Sequence, residues 1–152
     1  MAQYFFDTSA LVKYYHVEVG TPAVSGIFAE RDRKIRISSL GLLEIQSAFA
    51  MKVRSGALAR HGAGLQRARL MLDVAAGDIE VFGVAEDHFV AAERLVGRHA
   101  FTRRLRSLDA LQLAVALDLH GQGLVDSFVA ADQSLCEVAV IEGLNVNNPA
   151  TR

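Results

Sequence analysis

The chain has 152 residues, 51% of them hydrophobic, which is the size and apolar content of one domain with a substantial core. Its 16 Lys and Arg nearly balance its 17 Asp and Glu, so the net charge of -1 excludes a general attraction to polyanions. The lone Cys136 excludes an internal disulfide, and no apolar run reaches the length of a membrane span, so we expect a single cytoplasmic domain over residues 1–152 without membrane contact.

Predicted strands alternate with predicted helices along the chain. The first strand is the apolar run Gln3-Tyr4-Phe5-Phe6, which stops at Asp7 before a new apolar stretch begins. The later strands are predicted at 34–38, 79–82, 124–131 and 144–147, and the helices at 10–16, 21–32, 41–54, 58–74, 86–96, 108–119 and 133–142. This alternation predicts an α/β fold in which a central, mostly parallel sheet of about five strands is covered on both faces.

Four acidic residues interrupt apolar segments: Asp7, Glu44, Asp109 and Asp132. Taken singly, the three aspartates fall at predicted helix N-termini, where an acid commonly caps backbone N–H groups or complements the helix dipole. Glu44 has no capping task because it lies inside a mostly apolar helix, although an ordinary exposed position is the alternative. Since the carboxyl ends of parallel strands meet at one edge of a sheet, we expect Asp7 and Asp132 to lie together, with Asp109 within reach.

A cluster of these carboxylates needs a cation or raised pKa values, because two unit charges ~5 Å apart repel by about 3 kcal/mol at an effective dielectric constant of ~20. Oxygen ligands without His or Cys are the set that Mg²⁺ and Mn²⁺ prefer. Ions held in this way bind phosphate oxygens and activate water for in-line attack. The acids therefore indicate metal-dependent chemistry at a phosphate group.

The segments around these acids resemble a known family. They are Asp7-Thr8-Ser9-Ala10-Leu11-Val12-Lys13, Ser38-Ser39-Leu40 leading to Glu44, Ser107-Leu108-Asp109-Ala110-Leu111-Gln112-Leu113-Ala114, Val129-Ala130-Ala131-Asp132-Gln133-Ser134-Leu135 and Glu142-Gly143-Leu144. In this order and spacing the chain resembles a PIN domain, and in particular the VapC-type toxins of bacterial toxin–antitoxin pairs. The resemblance implies a three-layer α/β/α sandwich and an Mg²⁺- or Mn²⁺-dependent endoribonuclease that cleaves RNA with metal-activated water.

The resemblance also implies roles for single residues. The acidic quartet would be Asp7, Glu44, Asp109 and Asp132. Asp7 and Asp109 would be the principal metal ligands, and the other two acids would complete the site or hold a second metal or water. Thr8 or Ser9 would support Asp7 by hydrogen bonding.

The chain departs from the family pattern near the fourth acid. Many relatives carry Thr or Ser two residues before it, where this chain has Ala130. We therefore expect a supporting hydroxyl to be missing beside Asp132. Asp126, upstream on the same predicted strand, is a candidate auxiliary acid, and the alternative is an ordinary residue at a strand end.

A basic loop is predicted at 97–106, directly before the third acid. The candidates for holding RNA phosphates are Arg103, Arg104, Arg106 and, more weakly, Lys13 and Lys52. Phosphate contacts of this kind position a substrate without reading its sequence. The alternative is a solvated loop or a patch that binds an acidic partner.

The resemblance to a toxin implies two protein partners, a cognate antitoxin and a second copy in a homodimer. In the family, the C-terminal segment of the antitoxin lies in a groove between the N-terminal helices and reaches toward the acids. The apolar residues Leu42, Ile45 and Phe49, or those of 24–28, are candidates for lining such a groove. Packing in the core is the alternative for most of them.

Two other functions compete with the ribonuclease. An aspartyl-phosphate phosphatase also begins its site with an Asp at the end of the first strand, but it needs a second Asp where this chain has Ser9. A catalytically weak or silent PIN-like module that binds RNA or protein predicts lost acids. All four acids are present, and Ala130 is the only feature that favours the silent module.

Overall fold

The structure, a computed structural model, describes residues 1–151. The strands are β1 (Ala2–Phe6), β2 (Arg33–Ser38), β3 (Glu80–Phe82), β4 (Ser127–Val129) and β5 (Asn145–Asn147). The helices are α1 (Thr8–Tyr15), α2 (Thr21–Ala29), α3 (Ser39–Arg54), α4 (Arg60–Ala76), α5 (Glu86–His99), α6 (Ser107–Gly121) and α7 (Gln133–Ile141). Within this range no helix has both the length and the apolar character needed to cross a membrane.

The strands form one parallel sheet in the order β3-β2-β1-β4-β5. β1 is its central strand, and Phe5 pairs with Arg36 of β2 on one side and with Phe128 of β4 on the other. The chain moves outward from β1 through β2 and β3, and then crosses to β4 on the opposite side of β1. Ligands in open α/β sheets bind at the carboxyl ends of the strands beside such a reversal.

Helices cover both faces of the sheet, because the central strands carry apolar side chains on both faces. Phe5 and Phe128 pack in one core cluster with residues of α5, α6 and α7. Phe6 and Val129, each the next residue along its strand, pack in a second cluster with residues of α1 to α4. The predicted three-layer α/β/α sandwich with a parallel sheet of five strands is therefore confirmed.

β4 is shorter than the strand predicted at 124–131. The backbone N–H of Ala131 donates to Ser9 Oγ at 2.9 Å, so the chain leaves the sheet ladder there. On the other side of the strand, the N–H of Asp126 still donates to the carbonyl of Gln3 at 2.8 Å, but the regular strand begins at Ser127. The predicted strand is therefore shortened at both ends, and its flanking residues bond to neighbouring segments outside the regular β4.

α5 is longer than the helix predicted at 86–96. It continues through Gly97 and Arg98 to His99, which is buried and whose Nε2 lies 2.6 Å from Glu142 Oε1. The buried face of α5 also includes Ala92 and Leu95, so tertiary packing carries the helix past the glycine. The predicted basic loop at 97–106 therefore starts later, after α5 ends.

Candidate active site

Asp7 and Asp132 follow the two strands that lie beside the reversal of the sheet order. The N–H of Asp7, directly after β1, donates to the carbonyl of Val129 at the end of β4 (2.9 Å). Asp132 is the N-cap of α7, and its Oδ1 accepts a hydrogen bond from the N–H of Leu135 (2.9 Å). The parallel pairing of β1 with β4 thus carries these two acids to the same edge of the sheet.

Asp7 is buried, with 4% of its surface exposed. Its Oδ2 accepts hydrogen bonds from the backbone N–H of Ser9 (3.1 Å) and from Ser9 Oγ (2.5 Å). Burial raises the pKa of Asp7 to about 6, against the opposing effect of the Ser9 bonds, and the negative charges of Glu44 and Asp109 raise it further. A buried carboxylate that has these neutral donors is a position that a nearby cation would stabilise.

Ser9 links the two strand ends. Its Oγ donates to Asp7 and accepts the N–H of Ala131, in the segment between β4 and Asp132. Ala130 is fully buried, and its methyl side chain provides no hydroxyl at this point. The hydroxyl of Ser9 reaches this segment from the first turn of α1 instead. Thr8, the other residue predicted to support Asp7, accepts a hydrogen bond from Gln112 Nε2 (3.3 Å).

Glu44 is a half-buried residue of α3, one and a half turns into the helix. Its Oε1 accepts a hydrogen bond from Nε2 of Gln112 in α6 (2.9 Å). Burial raises the pKa of Glu44; the Gln112 bond opposes this, and the negative charge of Asp109 adds to it. Glu44 is therefore partly buried near another carboxylate and does not occupy the ordinary exposed helix position that the sequence left open.

Asp109 lies in the first turn of α6 but does not cap the helix. The N-cap residue is Arg106, and no side chain makes a capping hydrogen bond there. Asp109 Oδ2 instead accepts a hydrogen bond from Arg106 Nε at 3.4 Å, and the Arg106 side chain is 64% exposed. Capping explains the positions of Asp7 and Asp132, which both bond the N–H groups of their helices, but it does not explain that of Asp109.

The four acids line one cleft of about 530 Å³. Three cationic residues share its wall, Lys52, Arg54 and Arg106. Lys52 Nζ is paired with Glu18 Oε2 at 2.6 Å. The cleft therefore carries carboxylates and cationic side chains together, a combination that suits a polyanion bound over a cation.

The donor set fits a hard divalent cation, because it offers carboxylate oxygens and one of the carboxylates is buried. Within residues 1–151, no group of three or more His, Cys, Asp and Glu side chains is arranged so that it could hold a metal ion. Asp109 is paired with Arg106, and Glu44 with Gln112. Binding of an ion would therefore require Asp109 to turn from Arg106 into the cleft, whereas the Gln112 bond uses only Oε1 of Glu44.

Three of the predicted phosphate-binding residues lie away from the wall of this cleft. Lys13 is buried, and its Nζ is paired with Glu18 Oε1 at 3.0 Å. Arg103 lines a different surface pocket, beside α7. Arg104 is exposed, and its carbonyl accepts a hydrogen bond from Ser134 Oγ (2.7 Å). Arg106 is the predicted arginine that the structure places in the wall of the acidic cleft.

Asp126 is not an auxiliary acid of this site. It precedes β4, and its Oδ2 accepts a hydrogen bond from the N–H of Gln3, near the start of β1 (3.1 Å). Both residues lie at the amino ends of their strands, whereas the cleft lies at the carboxyl ends. The alternative, an ordinary residue at a strand end, is correct.

Among the charged and amide residues in or directly behind the cleft, sequence reasoning missed Glu18, Arg54 and Gln112. Glu18 has a pKa below its usual value, because bonds from Lys52 and Lys13 outweigh the effect of burial, which raises it. Nothing in its local pattern distinguishes Glu18 from an ordinary loop residue. Gln112 did leave a signal, since it is one of few polar residues in an otherwise apolar helix.

Solved structures with similar folds come from toxin–antitoxin systems. The chain is 20% identical to VapC20 of Mycobacterium tuberculosis, a sarcin–ricin loop cleaving toxin, with a TM-score of 0.64, and the match covers 87% of this chain and 92% of that one. It is 15% identical to a chain of VapBC2 from Rickettsia felis bound to promoter DNA (TM-score 0.64, covering 95% and 97%). It is also 15% identical to a chain of a toxin–antitoxin complex from Klebsiella pneumoniae (TM-score 0.59, covering 98% of each).

These identities are low, so the similarities establish the fold rather than a shared activity. A comparison with curated protein sequences gives no match. The family model of the PIN domain, however, matches residues 4–141, a range that contains all four acids, the last three residues of β1 and the whole of β2, β3 and β4. The chain therefore belongs to the PIN domain family.

Proposed function

We propose that this protein is an Mg²⁺- or Mn²⁺-dependent endoribonuclease and the toxin of a toxin–antitoxin pair. The observation that carries the proposal is that Asp7, Glu44, Asp109 and Asp132 line one cleft at the reversal of the sheet order. These four acids come from four separate segments of the chain. Capping does not account for Glu44 or Asp109, and the dipole of α6 accounts only for Asp109, whereas a shared divalent cation gives all four acids a common role.

The related structures support RNA as the substrate class. VapC20 is a toxin that cleaves the sarcin–ricin loop, and the matches from Rickettsia felis and Klebsiella pneumoniae belong to toxin–antitoxin systems. We infer from these relatives that the present protein cleaves an RNA phosphodiester and that a cognate antitoxin inhibits it. A homodimer, a cytoplasmic location and a single domain over the whole chain are parts of the same proposal.

In this proposal Asp7 and Asp109 are the principal ligands of the cation, and Glu44 and Asp132 complete the site. Ser9 fixes Asp7, because it holds Oδ2 through both its N–H and its hydroxyl and so leaves Oδ1 for the cation. A Mg²⁺ or Mn²⁺ ion held by these carboxylates would supply charge that offsets that of the scissile phosphate and would lower the pKa of a bound water. The cationic residues of the cleft would attract the phosphates on either side of the scissile one.

Most of the apolar residues first considered for an antitoxin groove pack in the core, and Leu42 is only partly buried. Ile45 and Phe49 of α3 are each only 1% exposed and pack in the core. The large apolar side chains that α3 does expose are Leu43 and Met51, at 65% and 57%. Met51 also lines the acidic cleft, so a partner that covers it would reach the proposed active site.

Purified protein incubated with RNA tests the proposed activity. We expect endonucleolytic cleavage with Mg²⁺ or Mn²⁺, complete loss of cleavage with a chelator, and recovery when the metal is restored, because a carboxylate site without its cation cannot hold the phosphate. Product ends mapped by sequencing report whether the cuts are internal. Cleavage that persists in chelator would contradict the metal-dependent mechanism. RNA binding without cleavage under any of these conditions would favour the silent module.

Arg106→Gln is expected to weaken RNA binding in the cleft. Arg106 is mostly exposed and lies in the cleft wall, so we expect KM for RNA to rise about fivefold. The dependence of log KM on log salt concentration should also become shallower, by the contribution of about one phosphate contact. Arg103→Gln is the matched control, because Arg103 lines a separate pocket. Equal effects of the two substitutions would argue that RNA follows the predicted basic loop rather than the cleft wall.

A further inference from the structure

Gln112 is a fully buried amide inside the apolar helix α6. None of its surface is exposed, and its helical neighbours Leu111, Leu113 and Ala114 are buried apolar residues. Its Oε1 accepts a hydrogen bond from Ser38 Oγ at 2.7 Å. A buried amide in such surroundings is unfavourable unless it is hydrogen-bonded, so its partners decide what it does.

The Gln112 amide joins the segments that carry three of the proposed metal ligands. Its Nε2 donates to Glu44 Oε1 (2.9 Å) and to Thr8 Oγ1 (3.3 Å), the latter in the residue next to Asp7. Gln112 itself lies three positions after Asp109, on the same side of α6. One side chain thus connects α1, α3 and α6 behind the floor of the cleft.

The bond to Glu44 uses one oxygen of the carboxylate and leaves the other. Nε2 holds Oε1, so that Oε2 is available to the cleft that Glu44 lines. The amide can hold Glu44 in this way only while its own orientation is fixed, and Ser38 fixes it from the opposite end. The Ser38 hydroxyl in turn accepts the N–H of Gly41 (3.2 Å) and caps α3, the helix that carries Glu44.

We propose that Gln112 is a positioning residue that holds Glu44 in the orientation needed to bind the divalent cation. The inference rests on the proposed function, since it assigns Gln112 to the same metal site. Groups that orient metal ligands affect metal affinity strongly, and their loss commonly weakens it about 10–100-fold. Gln112 touches neither the cation nor the RNA in this role and acts through Glu44.

Gln112→Met tests the role, because methionine preserves the length of the side chain and removes all three hydrogen bonds. Mn²⁺ binding is measured by calorimetry without RNA, and the Mn²⁺ concentration for half-maximal cleavage is measured separately. We expect both midpoints to rise about 10–100-fold, with a smaller change in KM for RNA than in kcat at subsaturating metal. Wild-type Mn²⁺ affinity in a cooperatively folded Gln112→Met protein would overturn the proposal.

Gln122→Met is the matched control at the end of the same helix. Gln122 is the C-cap of α6, and its Nε2 donates to Asp118 Oδ1 at 2.9 Å, so the substitution also breaks an amide–carboxylate bond, but outside the residues that line the cleft. We expect Mn²⁺ affinity and cleavage to stay within about twofold of the wild type.

A double substitution separates positioning from packing. If Gln112 acts through Glu44, then Glu44→Ala and Glu44→Ala/Gln112→Met should bind Mn²⁺ alike, because the amide has no carboxylate left to orient. A further loss in the double variant would overturn the proposal. If Gln112→Met does not unfold cooperatively, the shorter amide in Gln112→Asn carries the same test, and failure of both variants to fold would assign Gln112 to the fold alone.

The metal measurement also distinguishes this inference from the proposed function. If the wild type binds Mn²⁺ but cleaves no RNA, the ribonuclease proposal fails, while the comparison of Gln112→Met with the wild type still decides the role of Gln112. If the wild type binds no Mn²⁺, the metal site fails, and with it the role assigned to Gln112.

Discussion

Asp109→Asn is expected to reduce RNA cleavage about a thousandfold or more, equivalent to about 4 kcal/mol of transition-state stabilisation, while the fold is retained. Asparagine keeps the shape of the side chain and removes the charge that would hold the cation. The fold should be unaffected because Asp109 does not cap α6 and its one ionic partner, Arg106, is mostly exposed. Single-turnover cleavage in saturating Mn²⁺, with circular dichroism to verify folding, measures the effect.

Asp118→Asn is the control for this substitution. It makes the same chemical change on the same helix, where Asp118 bonds His88 and Gln122 rather than lining the acidic cleft. We expect cleavage close to the wild-type rate. Undiminished cleavage by Asp109→Asn would remove Asp109 from the metal site and with it the main argument for a shared cation.

Asp7→Asn is expected to abolish cleavage and yet to stabilise the metal-free protein near neutral pH. The folded-state pKa of Asp7 is about 6, above its usual value of 3.8, so the folded protein holds this proton more tightly than the unfolded chain does. The stability that protonated Asp7 contributes is present below about pH 4 and is lost as the pH rises through about 6, at most about 3 kcal/mol in total. Asparagine stays neutral and avoids this loss.

Because asparagine also weakens the bonds to Ser9, we expect a net gain of about 1–2 kcal/mol near pH 7.5, or about 2–8 °C in Tm. The gap between the variant and the wild type should narrow toward pH 4. Mn²⁺ should raise the Tm of the wild type and not that of Asp7→Asn. Asp32→Asn, at a 79% exposed side chain, serves as the control. If Asp7→Asn has a lower Tm than the wild type, and the difference in Tm does not change toward pH 4, then burial of the Asp7 charge does not destabilise the folded protein.

The strand and helix pattern was sufficient to predict the fold class because the sheet is parallel and buried on both faces. Consecutive apolar residues such as Phe5 and Phe6 pack into opposite core clusters, so the opening strand is apolar without alternation. The ends of elements were less predictable. The Ala131 N–H bonds the Ser9 hydroxyl instead of continuing the ladder of β4, and a partly buried bond between His99 and Glu142 accompanies the extension of α5. Neither pair is local in sequence.

The acids of the site were predictable because charge in an apolar context stands out in a sequence. Asp7 and Asp132 also follow neighbouring parallel strands, so their meeting at one sheet edge follows from topology. The wall of the cleft was not predictable in the same way. Gln112 meets Glu44 across 68 positions and Thr8 across 104, and such distant pairings have no periodic signal. Arg54 and Glu18 belong to the cleft through packing of helices, not through any motif.

Crystals of the wild-type protein grown with Mn²⁺ would test the shared cation most directly, through anomalous diffraction. We expect an anomalous peak in the cleft, at a Mn²⁺ ion bound by carboxylate oxygens of Asp7 and Asp109, and we expect the peak to be lost in Asp7→Asn crystals grown in the same way. An acidic cleft without a peak at saturating Mn²⁺, or a peak that persists in Asp7→Asn, would contradict it.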